Sequence, residues 1–270
     1  MRLKPFSSYK NTASQPKNLI FMPPDHRHAP RLYMDTGLSA GQMVNPCAEH
    51  VHYLKNVMRL KAGDDLRVFN GRDGEWHAVV AGEQKRTLDI KIAEQLKAQK
   101  AEPDLWLCCA PIKKAHFEYM VEKATELGAS VIQPVLTART QIRETNAERL
   151  RLIAIEAAEQ SERLSIPEIR AAMPLKELAA QWPKERLPIV CAEWGEAIPM
   201  HEALVRPQIK AAKKAAIITG SEGGFAADEL ELLRKLENAV FVRLGPRILR
   251  ADTAAIAALS LWQAVCGDWC

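Results

Sequence analysis

The chain has 270 residues, 47% of them hydrophobic and 26% charged, with a formal net charge of +4. This length exceeds one comfortable core and predicts two domains, since roughly 100–200 residues per domain is usual. The composition is that of an ordinary globular protein, and no apolar run reaches the ~18 residues that cross a bilayer, so a cytoplasmic protein with no membrane partner is expected.

The charge is divided unevenly: residues 1–100 carry 16 Lys and Arg against 10 Asp and Glu, whereas 101–270 carry 21 against 23. A basic front on a near-neutral back fits a front that meets a polyanion and a back that performs chemistry. An ordinary solvated surface with a basic tail is the plainer reading of the same numbers. Residues 1–27 hold Pro5, Pro16, Pro23 and Pro24 among Ser, Asn and Lys without an apolar period, and are expected to be a flexible extension. The first acidic residue is Asp25, as in organelle-targeting peptides, but the prolines oppose the amphipathic helix those need.

Residues 28–98 read as a small antiparallel barrel. Leu66 and Val68 precede Asn70-Gly71-Arg72-Asp73-Gly74, a turn sequence, and Leu88, Ile90 and Ile92 alternate with Asp89 and Lys91. One helix is predicted from His50 to Leu60, with Val51, Leu54, Val57 and Met58 at helical spacing. Gln95 to Pro103 is the linker.

From residue 103 to 270, strand-like and helix-like segments alternate. Strands are predicted over Leu105–Ala110, Val131–Leu136, Pro188–Ala192, Ala215–Thr219 and Ala239–Leu244. Helices are predicted over Lys113–Leu127, from an Asn146 cap to Arg163, over Asp228–Leu236 and over Asp252–Val265. Such alternation is an α/β fold with a parallel sheet and helices on both faces.

Cysteines stand at 47, 108, 109, 191, 266 and 270 without a Cys-x-x-Cys pair, so no metal and no disulfide framework is expected. His50 and His52 lack a second ligand pair nearby. The chemistry concentrates in two loops that each follow an apolar run: Gly220-Ser221-Glu222-Gly223-Gly224-Phe225 and Leu244-Gly245-Pro246-Arg247-Ile248-Leu249-Arg250-Ala251-Asp252-Thr253. Open α/β sheets place ligands at such edges. Gly223 and Gly224 admit a close backbone approach, although a tight strand-to-helix turn explains them equally well. The glycine order is not G-x-G-x-x-G and no G-x-x-x-x-G-K-[ST] occurs, which demotes dinucleotide enzymes and P-loop NTPases. Arg247 and Arg250 flank apolar Ile248 and Leu249, an arrangement suited to a flat ring beside an anion or polarised carbonyl. Arg250 bracing the loop against Glu222 or Asp252 is the plainer alternative. Asp252 can cap the last helix, and Gln160 and Arg163 can extend the polar rim, although a solvated helix end is the plainer reading of those two.

Taken together, KKAHFEYMVEKATELGA (113–129), EAAEQSER (156–163), ITGSEGGF (218–225) and LGPRILRADTA (244–254), preceded by RLY (31–33) and NVMRLKAGDDLRVFNG (56–71), resemble the RsmE-type 16S ribosomal RNA (uracil-N3)-methyltransferases. The resemblance spans about residues 28–269. It implies a SPOUT methyltransferase domain with a trefoil knot, a PUA-like RNA-binding barrel in front, S-adenosylmethionine as donor and a homodimer. It also implies cofactor contacts at Gly220, Glu222, Gly223, Gly224, Leu244, Gly245, Ile248, Leu249 and Thr253. Arg250 is the candidate for stabilising a uracil anion, with Glu222, Asp252 or a bound water as the candidate proton acceptor. Arg31, Lys55, Arg59, Lys61 and Arg72 are candidate phosphate contacts, the partner being 16S ribosomal RNA or the assembled small subunit. Ser221 stands where proline is common in the family and Asp252 where glutamate often occurs. Another SPOUT enzyme acting on transfer RNA or a ribose hydroxyl, and a non-catalytic ribosome-assembly protein, are the alternatives.

Overall fold

The computed structural model describes residues 28–84, 87–192 and 195–269. The extension expected over 1–27 lies outside the described residues.

The front half is built on β1 (Arg31–Tyr33), β2 (Met43–Val44), β3 (Asp65–Phe69), β4 (Glu75–Glu83) and β5 (Leu88–Lys97), hydrogen-bonded in the order β1-β3-β4-β5-β2. The alternation in β5 sets its faces: Leu88, Ile90 and Ile92 are buried against Leu66, Val68, Ala78 and Val80, while Lys91 is exposed. Asn70 makes the β3 to β4 turn, its side-chain oxygen accepting from the Arg72 and Asp73 N–H groups at 2.9 and 2.8 Å. One pairing differs from the expected antiparallel set, because β1 joins β3 in parallel. The predicted helix also changes. It begins earlier, as α1 (Ala48–His52), and continues as a wider π turn over Tyr53–Val57. That turn shifts the helical phase, so Val51 and Leu54 are buried whereas Val57 and Met58 are left 59% and 38% exposed.

The back half is a parallel sheet of β6 (Asp104–Cys109), β7 (Val131–Leu136), β8 (Glu168–Ile169), β10 (Leu187–Cys191), β11 (Ile198–Pro199), β12 (Lys214–Thr219) and β13 (Val240–Arg243), in the order β11-β13-β10-β12-β6-β7-β8, with β9 (Met173–Pro174) beside β7. Its strands are apolar on both sides because both faces are covered. Leu105, Leu107, Ile189, Ala215 and Ile217 face a core shared with α2 (Lys114–Glu126), α3 (Ala147–Ser161), α5 (Met200–Leu204), α6 (Pro207–Lys210) and α8 (Ala251–Val265). Their neighbours Cys108, Val190, Ala216 and Ile218 face a second core with Leu178 of α4 (Leu175–Ala180) and Leu233 of α7 (Ala227–Arg234). Each fully buried Leu or Ile contributes about 1.5–3 kcal/mol over exposure. Asn146 caps α3, accepting the Arg149 N–H at 2.9 Å.

The register fixes where loops emerge. Cys109 pairs with Thr219, Thr219 with Cys191 and Cys191 with Val242, which aligns the carboxyl ends of β6, β12, β10 and β13. The segments 110–113, 220–226 and 244–250 therefore leave one edge.

A buried ion network joins the front sheet to the end of α3. Glu75 is fully buried and accepts from Arg31 Nε at 2.5 Å and Arg67 Nη1 at 3.4 Å, with Lys97 Nζ 3.6 Å away. The other Arg31 nitrogens donate to the Ala158 and Arg163 carbonyls at 2.5 and 2.6 Å, and its guanidinium lies over the Phe69 ring. Arg67 and Lys97 also reach Glu162, each at 2.8 Å. Arg31 is accordingly withdrawn from the candidate phosphate contacts: it is buried, and each of its three nitrogens donates inside the protein. Arg163 is likewise buried, bonded to Glu102 and to the Thr125 carbonyl, so it braces this junction and forms no cofactor rim.

Candidate cofactor and active site

Between the two loops lies a cavity of about 370 Å³. The first loop follows β12: Ser221 bridges to Gly224, whose N–H donates to the Ser221 carbonyl at 2.9 Å and whose φ is +68°. That left-handed backbone is why glycine stands there. At Gly220 a side chain is disfavoured differently, since a Cβ would sit 3.1 Å from the Gly224 backbone and push it by a few tenths of an ångström. The second loop follows β13 and ends at Arg250, which occupies the N-cap of α8.

Of the sequence-derived cofactor residues, Gly220, Gly223, Gly224, Leu244, Gly245, Ile248 and Leu249 line this one cavity. Glu222 and Thr253 are not in its wall. Arg250 is exposed beside the lining residues Leu249 and Ala251, and makes no capping bond with its side chain. Asp252 does not cap the helix: it lies one position inside, its Oδ1 accepting the Thr253 N–H at 2.7 Å and its Oδ2 standing 2.9 Å from His116 Nδ1. Burial opposes its charge, but the hydrogen bonds from His116 and Thr253 outweigh it and hold the carboxyl below the usual range.

Sequence reasoning missed a third contributor. The segment after β7 brings Arg139 into the cavity wall, where its Nη1 donates to the Gly223 carbonyl at 2.5 Å and its carbonyl accepts from Ser221 Oγ at 3.2 Å. Behind it, buried Glu229 of α7 accepts the Ala138 N–H at 2.7 Å and the Ala226 N–H at 2.8 Å. The glycine loop is thus clasped from both flanks. No motif announces Arg139; its polar neighbourhood reads as an ordinary loop.

The wall fits the expected cofactor. Thr219 Oγ1 is buried in the wall and has no hydrogen-bond partner among the described residues, which a polar ligand group would supply. Leu230, Val242, Leu244, Ile248 and Leu249 offer an apolar slot for a flat ring. Cys191 also lines it, its thiol pushed up to about 12 by burial and so un-ionised. Lys55 is spent on Glu83 and the Gln84 carbonyl, whereas Arg59 and Lys61 are exposed and Arg72 sits 3.7 Å from Asp35. Among the described residues no helix is long and apolar enough to cross a membrane, and no cluster of His, Cys, Asp and Glu is grouped to hold a metal ion.

The family model for an RNA methyltransferase domain matches residues 99–263, and that for an RNA methyltransferase PUA domain matches 48–93. Ribosomal RNA small subunit methyltransferase E of Rickettsia conorii is 37% identical over 235 residues, which cover 85% of this chain and 93% of that protein. The chain belongs to this methyltransferase family. The Synechocystis member is 34% identical over 78% of this chain and 69% of its own length. Among solved structures, the Neisseria gonorrhoeae member bound to S-adenosyl methionine has a TM-score of 0.81 at 26% identity, covering 90% of this chain and all of that one. A Legionella pneumophila protein, also with bound cofactor, has a TM-score of 0.75 at 28% identity, covering 87% of this chain and 97% of that one.

Proposed function

We propose that this chain methylates N3 of a specific uridine in 16S ribosomal RNA, using S-adenosylmethionine, and that it acts as a homodimer with a trefoil-knotted C-terminal domain. The observation that carries this is the cavity between the two loops, with Thr219 Oγ1 in its wall lacking a partner among the described residues, in a chain whose family members act on small-subunit ribosomal RNA and bind that cofactor. When bound, the cofactor supplies an electrophilic methyl group on a sulfonium.

The protein's own contribution begins with positioning, which can supply much of the rate in a transfer between two held reactants. Backbone groups of 220–224 and 244–249 grip the donor, and the clasp of Arg139 and Glu229 keeps the first loop in place. Uracil N3 is a poor nucleophile until its proton leaves, so a cation at a uracil carbonyl oxygen stabilises the charge that develops. Arg250, exposed at the start of α8, takes that role; Arg250→Ala lowers turnover at saturating RNA and cofactor, and near-normal turnover would remove it. N3 lies on the pairing edge, so the target base must be unpaired or swung out. Arg59, Lys61 and Arg72 remain as the phosphate contacts of the front domain.

Deleting the gene and mapping ribosomal RNA nucleosides tests the reading. One lost N3-methyluridine is expected, while unchanged RNA or a lost ribose 2′-O-methyl group would contradict it.

A further inference from the structure

A uracil N3 that attacks must hand its proton to something, and neither carboxylate of the loops is suited to take it. Both oxygens of Asp252 are occupied and its carboxyl is held low, which makes it a weak base. Glu222 is exposed at the tip of the glycine loop.

His116 has what they lack. A carboxylate only accepts, so the hydrogen between His116 and Asp252 sits on Nδ1, and in the neutral ring Nε2 presents its lone pair. Among the described residues Nε2 has no hydrogen-bond partner, and the side chain is 48% exposed. His116 itself is outside the cavity wall, and two links tie it to that edge. His116 lies in the first turn of α2, shortly after Cys109, whose register partner Thr219 is in the cavity wall. Its carboxylate partner stands between the wall residues Ala251 and Ala254, two positions from Arg250. A hydrogen bond from a half-exposed imidazole contributes only about 0.5–1.5 kcal/mol to stability, so holding α2 to α8 is a weak reason for it.

We propose that His116 accepts the N3 proton during methyl transfer, with Asp252 as the positioning residue that fixes its tautomer. This rests on the reading above that uracil N3 is the nucleophile. The N3–H bond breaks and its proton moves to His116 Nε2. The electron pair left on N3 forms the bond to the methyl carbon, and the carbon–sulfur bond breaks with its pair kept by the leaving thioether. The positive charge of the sulfonium reappears on imidazolium, which releases its proton to water.

Around His116 stand Asp252 at 2.9 Å, Lys113 and Lys114 at the start of its own helix, Arg250 two positions from Asp252, and Glu118, which pairs with Arg149 of α3 at 3.5 Å; a pH profile reads their combined effect on the rate.

Single-turnover rates at saturating small subunits and cofactor, measured across pH for wild type, His116→Gln, His116→Ala and Asp252→Asn, test the proposal. His116→Gln should lose about 100- to 1,000-fold in rate, the usual size of a general-base contribution, with cofactor affinity by calorimetry within about twofold of wild type. Its profile should lose the acidic limb of the wild type and climb with hydroxide instead. Added imidazole should restore part of the His116→Ala rate, and Asp252→Asn should move the acidic limb to lower pH by weakening the imidazolium. A wild-type rate in His116→Gln overturns the proposal, as does a reduced rate that keeps the acidic limb with no imidazole rescue of His116→Ala. Failure of the wild type to form N3-methyluridine sinks the functional reading itself; success there with these variant results sinks only the role of His116.

Discussion

Glu229 offers the sharpest check on how the cofactor loop is held. It is buried and accepts two backbone N–H groups, from Ala138 at 2.7 Å and Ala226 at 2.8 Å. Glu229→Ala removes two hydrogen bonds to a carboxylate, and because the donors at exposed Ala138 and half-buried Ala226 can turn to water the loss falls at the low end of about 1–3 kcal/mol each, so about 2–4 kcal/mol is expected. For a chain of this size that corresponds to a fall in Tm of roughly 10 °C near the middle of the range. Cofactor affinity falls too. If only two loop residues lose their order, restoring it on binding costs about 2–4 kcal/mol, or at least about 30-fold in Kd. Glu229→Gln keeps the shape but turns one acceptor into a donor facing an N–H, so about half the loss is expected. Scanning calorimetry and isothermal titration with S-adenosylmethionine read both effects. Wild-type Tm and Kd in Glu229→Ala would refute the clasp.

The remaining predictions concern the front half and its junction. Burial opposes ionisation of Glu162, but the Lys97 and Arg67 hydrogen bonds outweigh it and hold its carboxyl at about 2, below an ordinary 4.5. Its contribution to stability is therefore complete above about pH 4.5 and fades as pH falls toward 2. The gap in unfolding midpoint between wild type and Glu162→Gln should narrow over that window; a constant gap would contradict the pairing. Arg59→Glu should weaken RNA binding and flatten its dependence on salt while leaving cofactor binding intact, as measured by titration at several ionic strengths.

Much of the back half is legible in sequence because it obeys strong local rules. Leu105–Ala110 and Ala215–Thr219 are short apolar runs that only a sheet covered on both faces can bury, and Asn146 and Gly128 mark helix ends. Short strands such as β8 and β11, of two residues each, carry no period at all. The predicted helix at 50–60 fails where a π turn breaks the spacing. Seven of the cofactor positions converge on one cavity because they lie within two contiguous loops. What sequence could not show depends on distant partners. Arg31 looks like any basic residue near a basic terminus until Glu75, 44 positions away, is seen buried beneath it. His116 and Asp252 are separated by 136 positions, and nothing local in either predicts their pairing.

The central claim is that the cavity between the two C-terminal loops presents a methyl donor to uracil N3. Incubating the purified protein with methyl-labelled S-adenosylmethionine and small subunits from a strain lacking the gene, then locating the label by mass spectrometry, tests it most directly. One labelled N3-methyluridine in 16S ribosomal RNA is predicted. Label on a ribose hydroxyl, label on another RNA, or no transfer at all would contradict it.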